Sequence, residues 1–266
     1  MSATTESRSS DLAAPRFFVA GATGYVGQAL VHEALARGFA VCAHVRPDSP
    51  GHPLHCAQFA ALGVAGDESA WRPAPIAAAL ARWQPTHTFF LVGTTARRMR
   101  SDRSGRTSYA TVDLGLLELL LAAARALPRA PRFLYLSSLG AGPRARGAYL
   151  LARSQAEQAV LASGLAFTIA RPGIITGPDR AEARHLERLA GGTLAVAARL
   201  GGLFAGPAFA DRWRPTDGRE LAHGLVRAAL AHTTINRVLL PEELRWRTAA
   251  HRPDFAPRSL RDHGRF

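Results

Sequence analysis

The sequence predicts an α/β protein with a doubly wound parallel sheet in a single domain, and two observations support this. Short segments that are apolar throughout alternate along the chain with longer amphipathic segments. Strands that are apolar on both faces are typical of a parallel sheet covered by helices on both sides. The 266 residues are also enough for one large α/β domain with a full core. In such folds ligands bind beyond the carboxyl ends of the strands, so we expect a site in the loops there.

The individual elements follow from this alternation in chain order. Strands are predicted at the apolar segments RFFVAGA, AVCAHV, GVAGD, HTFFLVG, RFLYLSS and AFTIARP, with RVLL as a last short strand. Helices are predicted over residues 25–37, 55–62, 108–127, 149–163, 181–200 and 217–231, and over the segment IAAALARW. Pro128 ends the long apolar helix and Gly164 ends the helix over 149–163, as these residue types commonly do.

The two ends of the chain differ in composition from the region between them. Residues 1–14 are polar and predict a disordered arm, and the arginine- and proline-rich residues 246–266 predict a basic, disordered tail. Residues 15–245 are the predicted domain, and within it residues from about 177 to 215 are expected to form a small lid over the substrate.

The net charge of +13 comes from arginine alone, because all 33 basic residues are arginines. Apart from clusters at residues 97–106 and in the tail from Arg245, these arginines are spread along the chain. A nucleic-acid-binding protein concentrates its charge on one face or motif, so a nucleic-acid partner is not expected. The polar amino terminus and the short apolar runs argue against a signal peptide and a membrane span. Cys42 and Cys56 form neither a disulfide framework nor a metal-ligand spacing. We therefore expect a cytoplasmic protein without a metal site, and the helix over 108–127 suits either a homodimer contact or the core.

A glycine-rich turn, GATGYVG, follows the first predicted strand and opens the first helix. Gly21 permits a tight turn, Gly24 lets the backbone approach a pyrophosphate, and Gly27 lets the helix pack closely on the sheet. The start of the helix attracts phosphate. This strand–turn–helix context predicts a dinucleotide phosphate loop, the alternative being a glycine-rich turn without a ligand.

The ends of the second and third strands predict the choice of cofactor. A ribose 2′-hydroxyl is met there by an acidic residue and a 2′-phosphate by an arginine. Arg46 stands at the end of the second strand, which favours NADP(H), although NAD(H) remains possible because Asp48 follows closely and Arg46 could be simply solvated. Asp67, at the end of the third strand, is placed either to meet the adenine amino group or to cap the next helix.

These segments, together with FLVGTTA, YLSSLGA and ARPGIITGP after the fourth, fifth and sixth strands, resemble the atypical short-chain dehydrogenase/reductase superfamily. The resemblance is greatest to the subgroup related to the Tat-interacting protein, neighbours of the NmrA-like regulators, and it covers residues from about 16 to 245. It implies a Rossmann fold and hydride transfer between NAD(P)H and a small carbonyl or quinone compound.

The resemblance also implies roles for individual residues. Ser138 would hydrogen-bond the substrate carbonyl, Tyr149 would be the acid, and Arg153 stands where the family has lysine. The implied cofactor-binding residues are Gly21, Thr23, Gly24, Tyr25, Val26 and Gly27 in the phosphate loop, Gly93, Thr94 and Thr95 near the nicotinamide ribose, and Pro172, Gly173 and Ile174 beside the nicotinamide.

The arginine at position 153 leaves three interpretations of this site open. A free tyrosine titrates near ~10, and the lysine of the family, one helical turn later, makes it more acidic and holds the ribose. Arginine keeps the charge and the spacing but releases no proton. The protein is therefore an oxidoreductase that uses Ser138, Tyr149 and Arg153, or an NADP(H)-binding regulatory protein that acts through a protein partner with little or no turnover. In the third interpretation, Arg153 is an exposed partner of Glu157.

Overall fold

A central parallel sheet organises the protein, whose structure is a computed structural model that describes residues 14–49, 51–93, 114–177 and 214–245. Its strands are β1 (Arg16–Ala20), β2 (Ala40–His44), β3 (Ala65–Asp67), β4 (His87–Phe90), β5 (Arg132–Leu136), β6 (Phe167–Ala170), β7 (Ile175–Thr176), β8 (Thr216–Asp217) and β9 (Arg237–Leu239). Seven of them form the central sheet in the order β3-β2-β1-β4-β5-β6-β9, and every pair of adjacent strands in this sheet is parallel. The predicted doubly wound Rossmann-like sheet in a single domain is confirmed. The short β7 and β8 pair separately.

The helices connect these strands and lie on both faces of the sheet. They are α1 (Tyr25–Ala36), α2 (His52–Ala61), α3 (Pro73–Trp83), α4 (Leu116–Arg125), α5 (Ala148–Ala162), α6 (Gly218–Leu230) and α7 (Pro241–Leu244). Helix α2 begins three residues earlier than the hydrophobic pattern predicts, because Gly51 is left-handed before it and a proline stands in its first turn. The predicted helix over 181–200 and the first residues of that over 108–127 lie outside the described residues.

Both faces of the strands are buried, which explains why the strand segments are apolar throughout. Successive side chains of a strand point to opposite faces of the sheet. In β1, Phe17 packs with Leu30 of α1 and Leu225 of α6, whereas Phe18 packs with Leu80 of α3 and Leu120 of α4. Each of these six side chains is at most 1% exposed. The helix layer on each side thus buries one of the two alternating sets.

Three of the predicted segments fall mainly outside the described ranges. These are residues 1–13 of the amino-terminal arm, residues 178–213 of the lid, and the whole tail from 246 to 266. Among the helices that the structure describes, none is both long and apolar enough to cross a membrane.

Candidate cofactor and active site

The glycine-rich turn after β1 has a backbone geometry that only glycine permits at two positions. Gly21 has a φ of 89°, and a Cβ there would lie 2.8 Å from the carbonyl carbon of Leu91, just past β4. A Cβ on Gly27 would lie 2.1 Å from the Gly21 carbonyl oxygen and 2.8 Å from the Ala22 Cα. Because these neighbours are backbone atoms, neither position has room for a side chain. The turn is therefore held tightly between the end of β4 and the start of α1.

The first turn of α1 is open to an anion. Gly24 is the N-cap residue and donates its N–H to the Gly21 carbonyl oxygen at 3.1 Å, and no described side chain caps the helix. The first N–H groups of a helix have no partner within the helix. Gln28 fastens the loop by donating to the Thr23 carbonyl oxygen at 3.0 Å, while the Val26 side chain is buried in the core. The backbone N–H groups of this turn are thus placed for an anion, and their predicted contact with a pyrophosphate stays a prediction.

The Tyr25 side chain points from the phosphate loop towards the start of α6. Its hydroxyl accepts a hydrogen bond from the Gly218 N–H at 3.2 Å. A Cβ on Gly177 would lie 2.3 Å from the Tyr25 Cζ, and one on Gly218 would lie 2.7 Å from its Cε1. The ring therefore packs against both glycines and joins α1 to the start of α6. The predicted contact of Tyr25 with the cofactor stays a prediction.

The end of β2 places Arg46 in the loop where the cofactor ribose is expected. The Arg46 side chain is partly exposed, and its Nη1 lies 3.5 Å from Oδ2 of the well exposed Asp48. This separation describes a loose surface ion pair, which contributes little to stability. The predicted contact between Arg46 and a 2′-phosphate stays a prediction.

Asp67, at the end of β3, is the centre of a buried network instead of a helix cap. Its carboxylate accepts hydrogen bonds from His44 Nδ1 at 2.8 Å, Ser69 Oγ at 2.9 Å and Arg82 Nη2 at 3.0 Å. Burial alone would raise the pKa of Asp67, but the hydrogen bonds from His44 and Ser69 outweigh it and lower that pKa. The N-cap of α3 is Arg72, which makes no side-chain cap. The helix-cap interpretation is therefore wrong. The adenine contact stays a prediction for a carboxylate that already accepts hydrogen bonds from β2, from Ser69 and from α3.

Tyr149 and Arg153 lie one turn apart on α5, with the arginine side chain packed inside the protein. The Arg153 Cζ is 5.3 Å from the centroid of the Tyr149 ring. Its Nη1 donates to the Tyr135 hydroxyl and to the Leu136 carbonyl oxygen, both at 3.0 Å. Arg153 is only 6% exposed, so the interpretation as an exposed partner of Glu157 is wrong. The predicted adjacency of tyrosine and cation on one helix face is present.

Gly93 brings the segment after β4 against the same cation. A Cβ on Gly93 would lie 2.4 Å from Nη2 of Arg153, so the guanidinium lies directly against the glycine backbone. Thr94 and Thr95, which the resemblance places beside the nicotinamide ribose, lie outside the described residues. The guanidinium therefore touches both the Tyr149 ring and the strand end that is expected to pass the ribose.

Ser138 lies in the loop after β5, which is tied to the loop after β6. The Ser138 hydroxyl is half-buried and donates to the Leu139 carbonyl oxygen at 3.3 Å. The Leu139 N–H donates to the Pro172 carbonyl oxygen at 2.8 Å, and the Ile174 carbonyl oxygen accepts from the Thr216 N–H at 2.9 Å. The predicted serine loop and nicotinamide loop are thus held side by side through their backbones.

A buried ionic network beneath these loops was not predicted from the sequence. Glu157 of α5, 2% exposed, accepts from Ser137 Oγ at 2.5 Å, from Arg171 Nε at 2.8 Å and from Arg171 Nη2 at 2.5 Å. The hydrogen bonds that Arg171 donates to Glu157 raise the pKa of Arg171. This network joins α5 to the ends of β5 and β6. Neither it nor the contact of Tyr135 with Arg153 has a spacing in the sequence that would have revealed it, because each joins separate elements.

The sequence profile of a family of NAD(P)H-binding domains matches residues 21–197, from the phosphate loop past the end of β6. The chain belongs to this NAD(P)H-binding family. The assignment agrees with the resemblance to atypical short-chain dehydrogenases/reductases and with the glycine geometry, and it allows either nicotinamide cofactor. No curated protein sequence is significantly similar to the chain.

Solved structures with a similar fold include one protein with NAD and another with NADP⁺. UDP-glucuronic acid 4-epimerase from Bacillus cereus, in complex with UDP-glucuronic acid and NAD, is 16% identical; the match covers 84% of this chain and 76% of that one, with a TM-score of 0.60. AtPrR2 with NADP⁺ and (+)pinoresinol is 17% identical, with coverage of 87% and 74% and a TM-score of 0.59. The terminal R domain of the myxalamid PKS-NRPS pathway is 16% identical, with coverage of 86% and 66% and a TM-score of 0.60. At these identities the similarity is one of fold.

Proposed function

We propose that the protein is an NADP(H)-dependent oxidoreductase that transfers hydride to or from a small carbonyl or quinone compound. The observation that carries this proposal is the buried Arg153 cation, which lies against both the Tyr149 ring and the Gly93 backbone at the carboxyl ends of the strands. A phenol next to a fixed cation is a proton donor whose conjugate base is stabilised. Because the chain belongs to the NAD(P)H-binding family, a nicotinamide cofactor would supply or accept the hydride.

Each residue of the chain then has a specific task. The nicotinamide, when bound, supplies or accepts the hydride. The Tyr149 hydroxyl donates the proton to the substrate oxygen, and the positive charge of Arg153 stabilises the phenolate that remains. The Ser138 hydroxyl turns from the Leu139 carbonyl to the substrate oxygen and orients it. The backbone of the glycine turn and the first turn of α1 bind the pyrophosphate.

A turnover assay with a tyrosine-matched control tests this proposal. The purified chain is titrated with NADPH and then assayed with a panel of quinones, aldehydes and ketones. Tyr149→Phe is expected to remove turnover of every active substrate while the Kd for NADPH stays within about twofold, because binding does not use the phenol. Tyr25→Phe removes a hydroxyl that bonds only to a backbone N–H of α6 in the described structure, and it should retain activity. Equal activity of Tyr149→Phe and wild type would refute the assignment.

The preference for NADP(H) rests on the position of Arg46 after β2. A hydrogen bond to a charged group contributes about 1.5–3 kcal/mol, so Arg46→Ala should weaken NADPH binding by about 10–100-fold. NADH binding should change by less than about twofold, because NADH has no 2′-phosphate. Arg125→Ala, which removes an exposed arginine at the end of α4, serves as a charge-matched control. Equal weakening of NADPH and NADH would assign Arg46 to another task.

A second candidate is an NADP(H)-binding regulatory protein with little or no turnover, and the bonding of Arg153 favours it. Arg153 replaces the lysine of related enzymes, and its Nη1 is engaged by Tyr135 and Leu136. Binding of NADPH without turnover across the whole panel would support this function. If the site is an enzyme organised around guanidinium, Arg153→Lys should lower activity, because one ammonium cannot at once replace the Nη1 contacts with Tyr135 and Leu136 and the Nη2 contact with Gly93. A rise in activity would instead indicate an impaired lysine-type site.

A further inference from the structure

Three side chains that bind transition metals meet at the side of the sheet away from Tyr149. His52 and Cys56 lie one turn apart near the start of α2, and Glu68 directly follows β3. The His52 Nε2 is 3.6 Å from the Cys56 Sγ and 2.8 Å from the Glu68 Oε2. One donor atom from each residue lies within 4.8 Å of the other two. One imidazole, one thiol and one carboxylate thus converge on one point.

The separation of the His52 nitrogen and the Cys56 sulfur is close to that of a tetrahedral zinc centre. With Zn–N near 2.05 Å, Zn–S near 2.3 Å and Zn–O near 2.1 Å, tetrahedral angles put the nitrogen about 3.5 Å from the sulfur and about 3.4 Å from the oxygen. The observed nitrogen–sulfur distance already matches this geometry. The nitrogen–oxygen distance must lengthen by about 0.6 Å, which requires only that the His52–Glu68 hydrogen bond be replaced by two bonds to the ion. Glu68 is largely exposed, so its side chain is free to move by this amount.

A cavity beside the cluster provides room for a fourth ligand. The cavity has a volume of about 420 Å³, and its lining includes Cys56 and Glu68 together with the apolar Val45, Phe59 and Val64. Two of the three donor residues therefore line a space that reaches the solvent. A zinc site with three protein ligands keeps its fourth position for water or another small ligand, and such a position would face this cavity.

We propose that His52, Cys56 and Glu68 bind one zinc ion, with the fourth coordination position open to the adjacent cavity. The thiol proton of Cys56 leaves to solvent on binding, and the neutral imidazole of His52 coordinates through Nε2. The mixture of nitrogen, sulfur and oxygen donors suits zinc rather than magnesium or calcium, which prefer oxygen ligands only. The ion would connect the start of α2 to the end of β3. This site is separate from the proposed hydride-transfer site, and the absence of a metal-ligand spacing between the two cysteines concealed it in the sequence.

The alternative is that His52 and Glu68 form only a surface ion pair and that Cys56 is an ordinary thiol. The two possibilities differ in stoichiometry and in sulfur ligation. The test uses the full-length, tag-free, reduced protein after removal of metals with a chelator. Zinc alone is titrated in competition with a chromogenic chelator. Cobalt(II), which adopts the same geometry, reports a thiolate ligand by a charge-transfer absorption in the near ultraviolet.

One equivalent of zinc is expected to bind, to raise the melting temperature, and to be replaced by cobalt with a thiolate charge-transfer band. Loss of a single outer-shell partner already weakens metal sites by about 10–100-fold, so Cys56→Ser and His52→Gln should each weaken binding at least about 100-fold. Cys42→Ala, at the other cysteine, and His55→Gln, on the same helix, should bind like the wild type. NADPH binding is measured on the same samples, so that a misfolded variant is recognised independently of the zinc result.

Two outcomes would overturn the proposal. The first is that the wild type takes up no stoichiometric zinc. The second is that zinc binding by Cys56→Ser, or the cobalt spectrum of that variant, equals that of the wild type, since binding would then occur without the thiolate.

Discussion

Replacement of Glu157 by glutamine removes one negative charge from the buried network that joins α5 to the ends of β5 and β6. The glutamine has nearly the same shape as the glutamate, so the change creates no cavity. It replaces one acceptor oxygen by an amide that donates hydrogen bonds. Because Arg171 also only donates, at least one of its two hydrogen bonds to Glu157 is lost.

The expected cost follows from the burial of the two partners. Removal of one partner of a buried ion pair costs about 3–5 kcal/mol, because the remaining charge has lost its compensation. The Glu157 side chain is 3% exposed, but that of Arg171 is 22% exposed and can be partly rehydrated. We therefore expect a cost near the lower limit, about 3 kcal/mol. Ser137→Ala leaves the ion pair intact and should cost only about 1 kcal/mol, the contribution of one hydrogen bond.

Equilibrium unfolding in urea measures both effects. With an m value of about 3 kcal/mol/M, Glu157→Gln should lower the midpoint by about 1 M without a change in m. Arg237→Gln is the matched control, since it breaks an ion pair with Glu243 whose arginine is 51% exposed. An exposed pair of this kind contributes at most about 1 kcal/mol. A midpoint for Glu157→Gln no lower than that of the control would refute the buried-network reasoning.

Two further predictions concern the phosphate loop and the dependence of stability on pH. In Gly27→Ala the new Cβ would overlap the Gly21 carbonyl oxygen at 2.1 Å, so NADPH binding measured by fluorescence titration should weaken at least about tenfold. Gly115→Ala, where the Cβ meets nothing within 4 Å, should leave NADPH binding unchanged. Equal NADPH affinities of the two variants would contradict the close packing at Gly27. Burial, and then a nearby arginine charge, lower the pKa of His87 to about 4. Below the ordinary histidine pKa of 6.5, His87 therefore takes up a proton in the unfolded chain but not in the folded protein. The stability of the folded protein thus falls as the pH drops from about 6.5 towards 4. Between pH 7.5 and 5.0 this effect amounts to about 2 kcal/mol, and His87→Gln should lose correspondingly less stability in urea unfolding at pH 5.0; an unchanged pH dependence would show that His87 is not the group responsible.

The sequence alone determined the sheet, the phosphate loop and the helix that bears the candidate acid. Apolar runs of strand length and the spacing of helical residues are local properties, and they were sufficient to predict the parallel sheet. The turn at Gly21 and Gly27 could be predicted because its geometry excludes side chains within a few neighbouring residues. The one-turn separation of Tyr149 and Arg153 could likewise be predicted, since it depends only on the period of the helix.

Only the tertiary structure decided what these side chains contact. The hydroxyl that holds Arg153 comes from Tyr135, on another element, and the ring of Tyr25 packs against glycines from a distant part of the chain. Asp67 is engaged by His44 from the neighbouring strand, although its position at a strand end suggested a cofactor contact or a helix cap. Such partners are separated by 18 to 193 residues along the chain, and no local pattern encodes which of them meet. The pairing of strands and the packing of helices bring them together, so their contacts could not be determined from the sequence alone.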